Sequence, residues 1–530
     1  MNCCGSSKFF YFWATNSTSL NRITFFILLI AINTNLTSQT FKTDISQPLQ
    51  GDIGFPELLM KNGNTVFALN DKSKKTLVFT IFNSKHHQII QKEISFKKVD
   101  FSRAFAPPDP SVDILKTCEI KGNIVLFIKD NKTSNKGECA LFRVIINANT
   151  AEIEEEELLF SINREGFAGN NPRSENGEDS PFYFISKDEN SDYYAIIKYG
   201  NLNKDVIAGN YEIHWYSPDH KEINKSNFDY VNNKYEFARP LNLIVNANKY
   251  VLLTTYVYNK SGEKIKDIKV VFSKLEIGKT DFVHREEQYA VDFNSSFCTM
   301  KENIKKNLVE ALIYNEMTGD DGKTYYLLIF QNIDAEKMET EKPYPLPQKM
   351  LDEFVVNNCK DSKGYNDGFI DTYEIDGDGN NIAICKKNVS FFAGGYAYSP
   401  NAELFGFSLF DSNGKELSAW AYPHIDNGLI VPVCNKKGNF MVMNELQENM
   451  DLPLDKKHIS IKPRDASNAI LVSLKAGGEI EKNYIFGKPN GNNNIYFYSM
   501  NYDSKLNTAV GIIGVGKGNK DKKVAWIKFD

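Results

Sequence analysis

The chain has 530 residues, 42% of them hydrophobic, 13% aromatic and 24% charged, with a formal net charge of −5. That composition supplies a large core and excludes a disordered chain. The lysines are scattered rather than gathered into the basic stripe that a nucleic-acid binder needs, so nucleic acid is excluded as a partner.

The first predicted element is a leader over residues 1–38. Arg22 precedes the apolar run ITFFILLIAI (Ile23–Ile32), and the small polar stretch NTNLTSQTF follows. A positive residue, a short apolar run and small polar residues describe a secretory signal, too short to span a membrane. Cleavage near Ser38–Gln39 predicts an exported chain, periplasmic or extracellular, with no stable membrane span after cleavage. An uncleaved N-terminal anchor is the competing reading. Cys3 and Cys4 stand before the apolar run and so do not mark a lipidation site.

Residues 39–530 are expected to form one domain in which a phrase recurs eight times. A small polar turn of Lys, Gly and Asn leads into an apolar burst in MKNGNTVFALN from Met60, IKGNIVLFIKDN from Ile120 and SKDENSDYYAIIKYGN from Ser186. VNANKYVLLTTYVYN from Val245, MKENIKKNLVEALIYN from Met300 and CKKNVSFFAGGYAY from Cys385 follow. CNKKGNFMVMNEL from Cys434 and KPNGNNNIYFYSMNY from Lys488 complete the series. The bursts start near Thr65, Ile124, Tyr193, Tyr250, Leu308, Val389, Phe440 and Ile495, a period of about 61 residues.

A short apolar run precedes each turn, and a third run follows after a variable loop, as in TLVFTIF, YEIHWY or AILVSL. Most third runs reach a second polar turn, such as DSNGKEL (Asp411–Leu417) or KAGGEI (Lys475–Ile480), and then a fourth run. This is a four-stranded antiparallel meander whose tight turns need the positive φ that Gly and Asn supply at low cost. The second strands, IVLFI and YVLLTTY among them, are apolar throughout, so both faces of each sheet are buried. Sheets of about 60 residues achieve this by stacking radially around an axis.

The pattern resembles the secreted β-propeller proteins over residues 50–530. The tryptophan–aspartate and kelch signatures are missing, so the resemblance implies an architecture and carries no catalytic residues. The expected fold is all-β, a propeller of eight four-stranded antiparallel blades, with seven as the alternative count and two packed β-sandwiches as the alternative fold. The last blade is completed either by the C-terminal runs TAVGIIGV and VAWIKFD alone or with a strand from FKTDISQPL.

Strand direction alternates within a blade, so turns between strands one and two and between strands three and four share one rim. Loops between strands two and three, and the crossings between blades, share the other. Nearly all the long segments fall on this second rim: Ser95–Asp113, Phe160–Pro181, Phe228–Pro240, an insertion over 341–372, Trp420–Gly428 and Glu448–Asn468. Loops aimed by a rigid scaffold carry sites. Seven arginines follow the leader, and Arg103, Arg164, Arg173, Arg239 and Arg464 lie in these segments. A planar guanidinium grips carboxylate, sulfate or phosphate, and it can equally pin a loop through carbonyls or neighbouring acids. Trp420, Tyr422 and His424 join them as an aromatic group able to stack on a sugar or peptide, with burial against the next blade as the competing role.

The remaining motifs are weaker. TGDDGKTY (Thr318–Tyr325) resembles an aspartate-box turn, which stabilises a turn without doing chemistry. Asp376–Asn380 opens like a calcium loop, but Asn381 and Lys387 stand where Gly and Glu are required, so it reads as a turn. The seven histidines lack metal-ligand spacing, and His86 and His87 read as solvated turn residues. No metal site and no cofactor are implied. Cys118, Cys298, Cys385 and Cys434 are placed in the first strands of four units as buried packing residues; Cys139 and Cys359 stand outside that pattern.

Two functions fit. One is an exported binding or scaffold protein presenting its loop-rich rim to a glycan or protein ligand with acidic groups. The other is a hydrolase or lyase acting on acidic saccharides in the manner of a sialidase-like propeller. Glycoside hydrolysis needs two carboxylates about 5–9 Å apart; Asp109, Glu175, Asp179 and Asp426 lie in suitable loops with no motif to choose among them.

Overall fold

The computed structural model describes residues 41–49, 58–71, 76–100, 112–130, 138–163, 183–199, 211–228, 234–261, 264–289, 295–303, 306–318, 324–346, 349–350, 353, 368–375, 381–388, 403–411, 413–424, 430–435, 438–451, 467–474, 479–489, 494–516 and 522–529. In chain order, β1 (Phe41–Ile45) precedes the first blade. Blade 1 holds β2 (Leu58–Leu59), β3 (Thr65–Asp71), β4 (Thr76–Phe82) and β5 (Gln88–Ile94). Blade 2 holds β6 (Val112–Ile120), β7 (Asn123–Asp130), β8 (Glu138–Ile146) and β9 (Ile153–Asn163). Blade 3 holds β10 (Tyr183–Lys187), β11 (Tyr194–Tyr199), β12 (Tyr211–Tyr216) and β13 (Glu222–Phe228). Blade 4 holds β14 (Phe237–Asn246), β15 (Tyr250–Ser261), β16 (Lys264–Glu276) and β17 (Val283–Glu287). Blade 5 holds β18 (Ser295–Asn303), β19 (Leu308–Thr318), β20 (Thr324–Asp334) and β21 (Glu339–Thr340), with β22 (Tyr344–Pro345) also on β20. Blade 6 holds β23 (Gly368–Ile375), β24 (Asn381–Asn388), β25 (Glu403–Asp411) and β26 (Glu416–His424). Blade 7 holds β27 (Ile430–Asn435), β28 (Gly438–Leu446), β29 (Ser467–Leu474) and β30 (Ile480–Tyr484), and β31 (Ile495–Asp503), β32 (Thr508–Val515) and β33 (Lys522–Phe529) end the chain.

Each sheet is an antiparallel meander, and there are eight. The first strands of neighbouring blades pack on one another, which makes them the inner ring. The all-apolar second strands explain the stacking. On β7, Ile124, Leu126 and Ile128 join a core with Phe79 and Ile81 of blade 1. Val125 and Phe127, on the opposite face, join Tyr194 and Ile196 of blade 3. The same division recurs around the ring: Trp215 meets Leu253, Phe272 meets Ile313, Trp420 meets Met441 and Val442 meets Ile513. Each such side chain taken out of water contributes about 1.5–3 kcal/mol. The protein is therefore an eight-bladed β-propeller, and the sandwich alternative does not occur.

The ring closes with an N-terminal strand. β1 pairs with β33 from Phe41↔Phe529 to Ile45↔Ala525, and Ser46 and Leu49 donate backbone bonds to Val524 and Lys522. Blade 8 is thus β31–β32–β33 plus β1, outermost. Its face meets blade 1: Trp526, Val510 and Ile512 pack with Phe67 and Phe82, and the indole Nε1 of Trp526 donates to Thr65 Oγ1 at 2.9 Å.

Two repeat assignments are corrected. The sixth apolar burst is Asn381–Asn388, not the stretch from Val389, so Cys385 sits on a second strand, unlike Cys118, Cys298 and Cys434. The polar DGDGN precedes this strand and the equally polar CKKN is its second half, so CKKN reads as the turn and the burst as starting after it. The eighth burst, from Ile495, is a first strand, because β1 takes the fourth place in that blade. Cys118, Cys139 and Cys298 are buried thiols outside any disulfide, and burial pushes Cys118 and Cys298 up to about 12.

Candidate functional site

The rims differ as the strand directions require. One carries short turns such as Lys121–Gly122 and Asn83–His87; the other carries the connections 95–111, 164–182, 346–367 and 447–466. The second rim is the candidate site. Arg103, Arg164, Arg173 and Arg464 lie there by chain position but outside the described residues, as do Asp109, Glu175, Asp179, Asp426, Cys359 and the tip of the Thr318–Tyr325 hairpin; Asp376–Asn380, also outside the described residues, joins strands one and two of blade 6 and so belongs to the short-turn rim.

Arg239 is described, and it lies on the inner strand β14 rather than in a loop, because β14 already starts at Phe237. It is exposed and stands opposite Tyr256 in register. Phe237 stacks on Tyr258 at 4.9 Å beside it. Trp420 needs a correction: residues 416–424 are strand β26, not loop. Its indole is 1% exposed and packs on Phe407 at 5.6 Å, filling the junction with blade 7 instead of facing a ligand. Tyr422 and His424 share that strand; their side chains are outside the description. His86 is corrected too. It is a turn residue with positive φ, but its ring stacks on Trp526 at 4.2 Å and its Nδ1 lies 2.8 Å from Asp44 Oδ2 on β1.

Sequence reasoning missed three groups on the long-connection rim. Tyr498, at the start of inner strand β31, shares a 2.7 Å hydroxyl contact with Tyr496, and Lys522 Nζ lies 5.6 Å from its ring centroid. Between blades 7 and 8 a cavity of about 180 Å³ is lined by Asn468, Phe486, Lys488 and Ile495. At the root of the 447–466 connection, Lys482 Nζ donates to Asn449 O at 2.9 Å and Asn449 Nδ2 to the buried Glu445 at 2.7 Å; burial lowers the Lys482 ammonium. Cations beside half-buried aromatic faces suit an anionic group on a flat or apolar body.

The opposite mouth is built differently. Between strands one and two, blade 2 has the two-residue turn Lys121–Gly122, but blade 3 has six residues, Asp188–Tyr193. Lys187 Nζ curls this turn by donating to the carbonyls of Asp188 and Ser191 at 3.0 and 2.6 Å. Asp192 takes Lys61 of blade 1 at 2.7 Å and the Lys121 amide of blade 2 at 2.9 Å. Asp188 accepts the Ala247 amide of blade 4 at 2.9 Å, and Asn190 Nδ2 reaches Glu302 of blade 5 at 3.4 Å. Lys505 of blade 8 donates to the Glu189 carbonyl and, at 3.1 Å, to Asn190 Oδ1. Burial alone would raise Asp192, but Lys61 and the Lys121 amide more than offset it and hold the carboxyl low. Burial raises Glu302.

No family model matches the sequence, and no curated protein matches it. Solved structures do. The β-propeller domain of the Trilobed protease from Pyrococcus furiosus is 9% identical, with 78% of this chain and 93% of that one covered and a TM-score of 0.35. Polysaccharide lyase Uly1 is 9% identical over 80% and 91%, with a TM-score of 0.40. Prolyl oligopeptidase B from Galerina marginata is 9% identical over 94% of this chain and 60% of that one, with a TM-score of 0.40. The likeness is one of architecture.

Proposed function

We propose that this is an exported binding propeller whose long-connection rim receives a glycan or protein ligand bearing acidic groups. The observation that carries the reading is the gathering of every long connection on one rim, around a ring whose other rim has short turns. Arg239, Tyr498 with Lys522, and the cavity beside Lys488 supply cationic and aromatic surface on that rim. Arg103, Arg164, Arg173 and Arg464 add to it from the adjoining connections. Each charge-assisted contact to a carboxylate or sulfate contributes about 1.5–3 kcal/mol. The test is an acidic-glycan array probed with residues 39–530. Arg103→Ala, Arg164→Ala and Arg239→Ala combined are expected to abolish the signal, and an unchanged signal contradicts the proposal. Export is tested by N-terminal sequencing of secreted chain, which is expected to begin near Gln39.

A further inference from the structure

Blade 3's turn between its first two strands touches blades on both sides and a blade three places round the ring. A hairpin tip that contacts Lys61, the Lys121 and Ala247 amides, Glu302 and Lys505 at once must lie over the hub, because those groups end the inner half of five other blades. The tip also has its own scaffold. Asp188 accepts from the Asn190 amide at 2.8 Å and from the Ser191 hydroxyl, so the loop is shaped before any neighbour holds it. Asp188 is 4% exposed, which fixes the root of the turn in the sheet edge.

We propose that Asp188–Tyr193 is a fixed bar across the turn-side mouth of the central channel. The channel is then a well with one opening, on the long-connection rim, and anything that enters from that rim leaves by it. The bar is held mainly by charge: its acids and carbonyls face Lys61, Lys187 and Lys505, and Asp113 and Lys116 are exposed on the inner strand β6 of the adjoining blade. This goes beyond the ligand reading and does not depend on it.

Two measurements on the whole chain test the bar. Zero-length carbodiimide coupling condenses a carboxylate with a contacting amine, the carbodiimide taking up the water lost. It is expected to join Lys61 to Asp192 in the natural chain and, in Asn190→Asp, Lys505 to the new carboxylate, with the exposed pair Lys121–Asp219 at 2.6 Å, in which Asp219 lies outside the bar, as the positive control. Control coupling without either central product overturns the proposal. The second measurement replaces Asp188–Tyr193 by the Lys-Gly turn of blade 2, in a chain carrying Lys116→Cys. Labelling of that thiol by a bulky maleimide, read by mass spectrometry, is expected to rise at least tenfold in the shortened chain. Equal rates in two chains of equal thermal stability overturn the proposal. If the shortened chain does not fold, the coupling result alone decides.

Discussion

Single residues at the tight turns do more than turn the chain. Asn83–His87, Ser217–Lys221 and Asp411–Lys415 have the same pair of backbone bonds, and the fourth position is left-handed in each: His86, His220 and Gly414. Composition suggests Gly or Asn there, and two histidines hold it because their rings are used. The His220 ring packs on Tyr194 beneath Arg143, whose guanidinium donates to the His220 carbonyl, to Tyr194 and to Glu155 and Glu157. Burial, and then Arg143, push His220 down from 6.5 to about 4. A base depressed in the folded state contributes stability that is present above pH 6.5 and lost as the pH falls towards 4. His220→Asn, which tolerates the same backbone, is expected to remove about 1–2 kcal/mol of that acid loss after solvent screening, read from denaturant midpoints between pH 4 and 7. Each acid of the run Glu154–Glu157 has a partner. Glu156 alone accepts the amides of Lys97, Lys98 and Val99 at 2.8, 2.5 and 2.9 Å, pinning the start of the blade 1 to blade 2 crossing. Glu156→Ala is expected to cost about 1–3 kcal/mol, with faster hydrogen exchange at 97–99 and unchanged exchange in β7. Equal protection at 97–99 would contradict it.

Among elements, β1 has the most disproportionate role. Four of its five residues are exposed, so little hydrophobic area holds it. Its backbone ladder nonetheless covers the open edge of β33, and Asp44 reaches His86 on the other side of the seam. Removal of residues 41–49 is expected to lower the melting temperature and promote association through the bared β33 edge, and a peptide of those residues is expected to restore the melt. Trp526→Ala, which empties the same seam and strands Thr65, is expected to cost about 3–5 kcal/mol, far more than loss of β1 contacts at Lys42 or Thr43. A truncated chain that melts like the full one would show that the seam between blades 8 and 1 closes the ring unaided. The sequence left closure open because FKTDI lacks the apolar content of the other strands; it is an outer strand, and outer strands need little.

At the scale of the whole molecule, period and apolar character were legible. IVLFI and YVLLTTY name strands buried on two faces, and only stacked sheets bury both, so eight blades and the rim carrying the long connections followed from the residues. Contacts between distant turns were not legible. SKDENSDYY differs from its siblings only by a few extra polar residues, and nothing local says that they reach blades 1, 5 and 8. Trp420 was misplaced because Pro423 reads as a loop signal, whereas β26 is an outer strand of its sheet, where a missing amide costs little. Of the five arginines in the long segments, Arg239 lies on the inner strand β14.

The most direct test asks which face binds. Affinity for an acidic glycan selected on the array should be compared by calorimetry at low salt between two triple variants. One removes Arg103, Arg164 and Arg239; the other removes Lys85, Lys279 and Lys337 from the short-turn rim. The account predicts at least a hundredfold loss in the first and an unchanged constant in the second; equal losses, or loss only in the second, would contradict it.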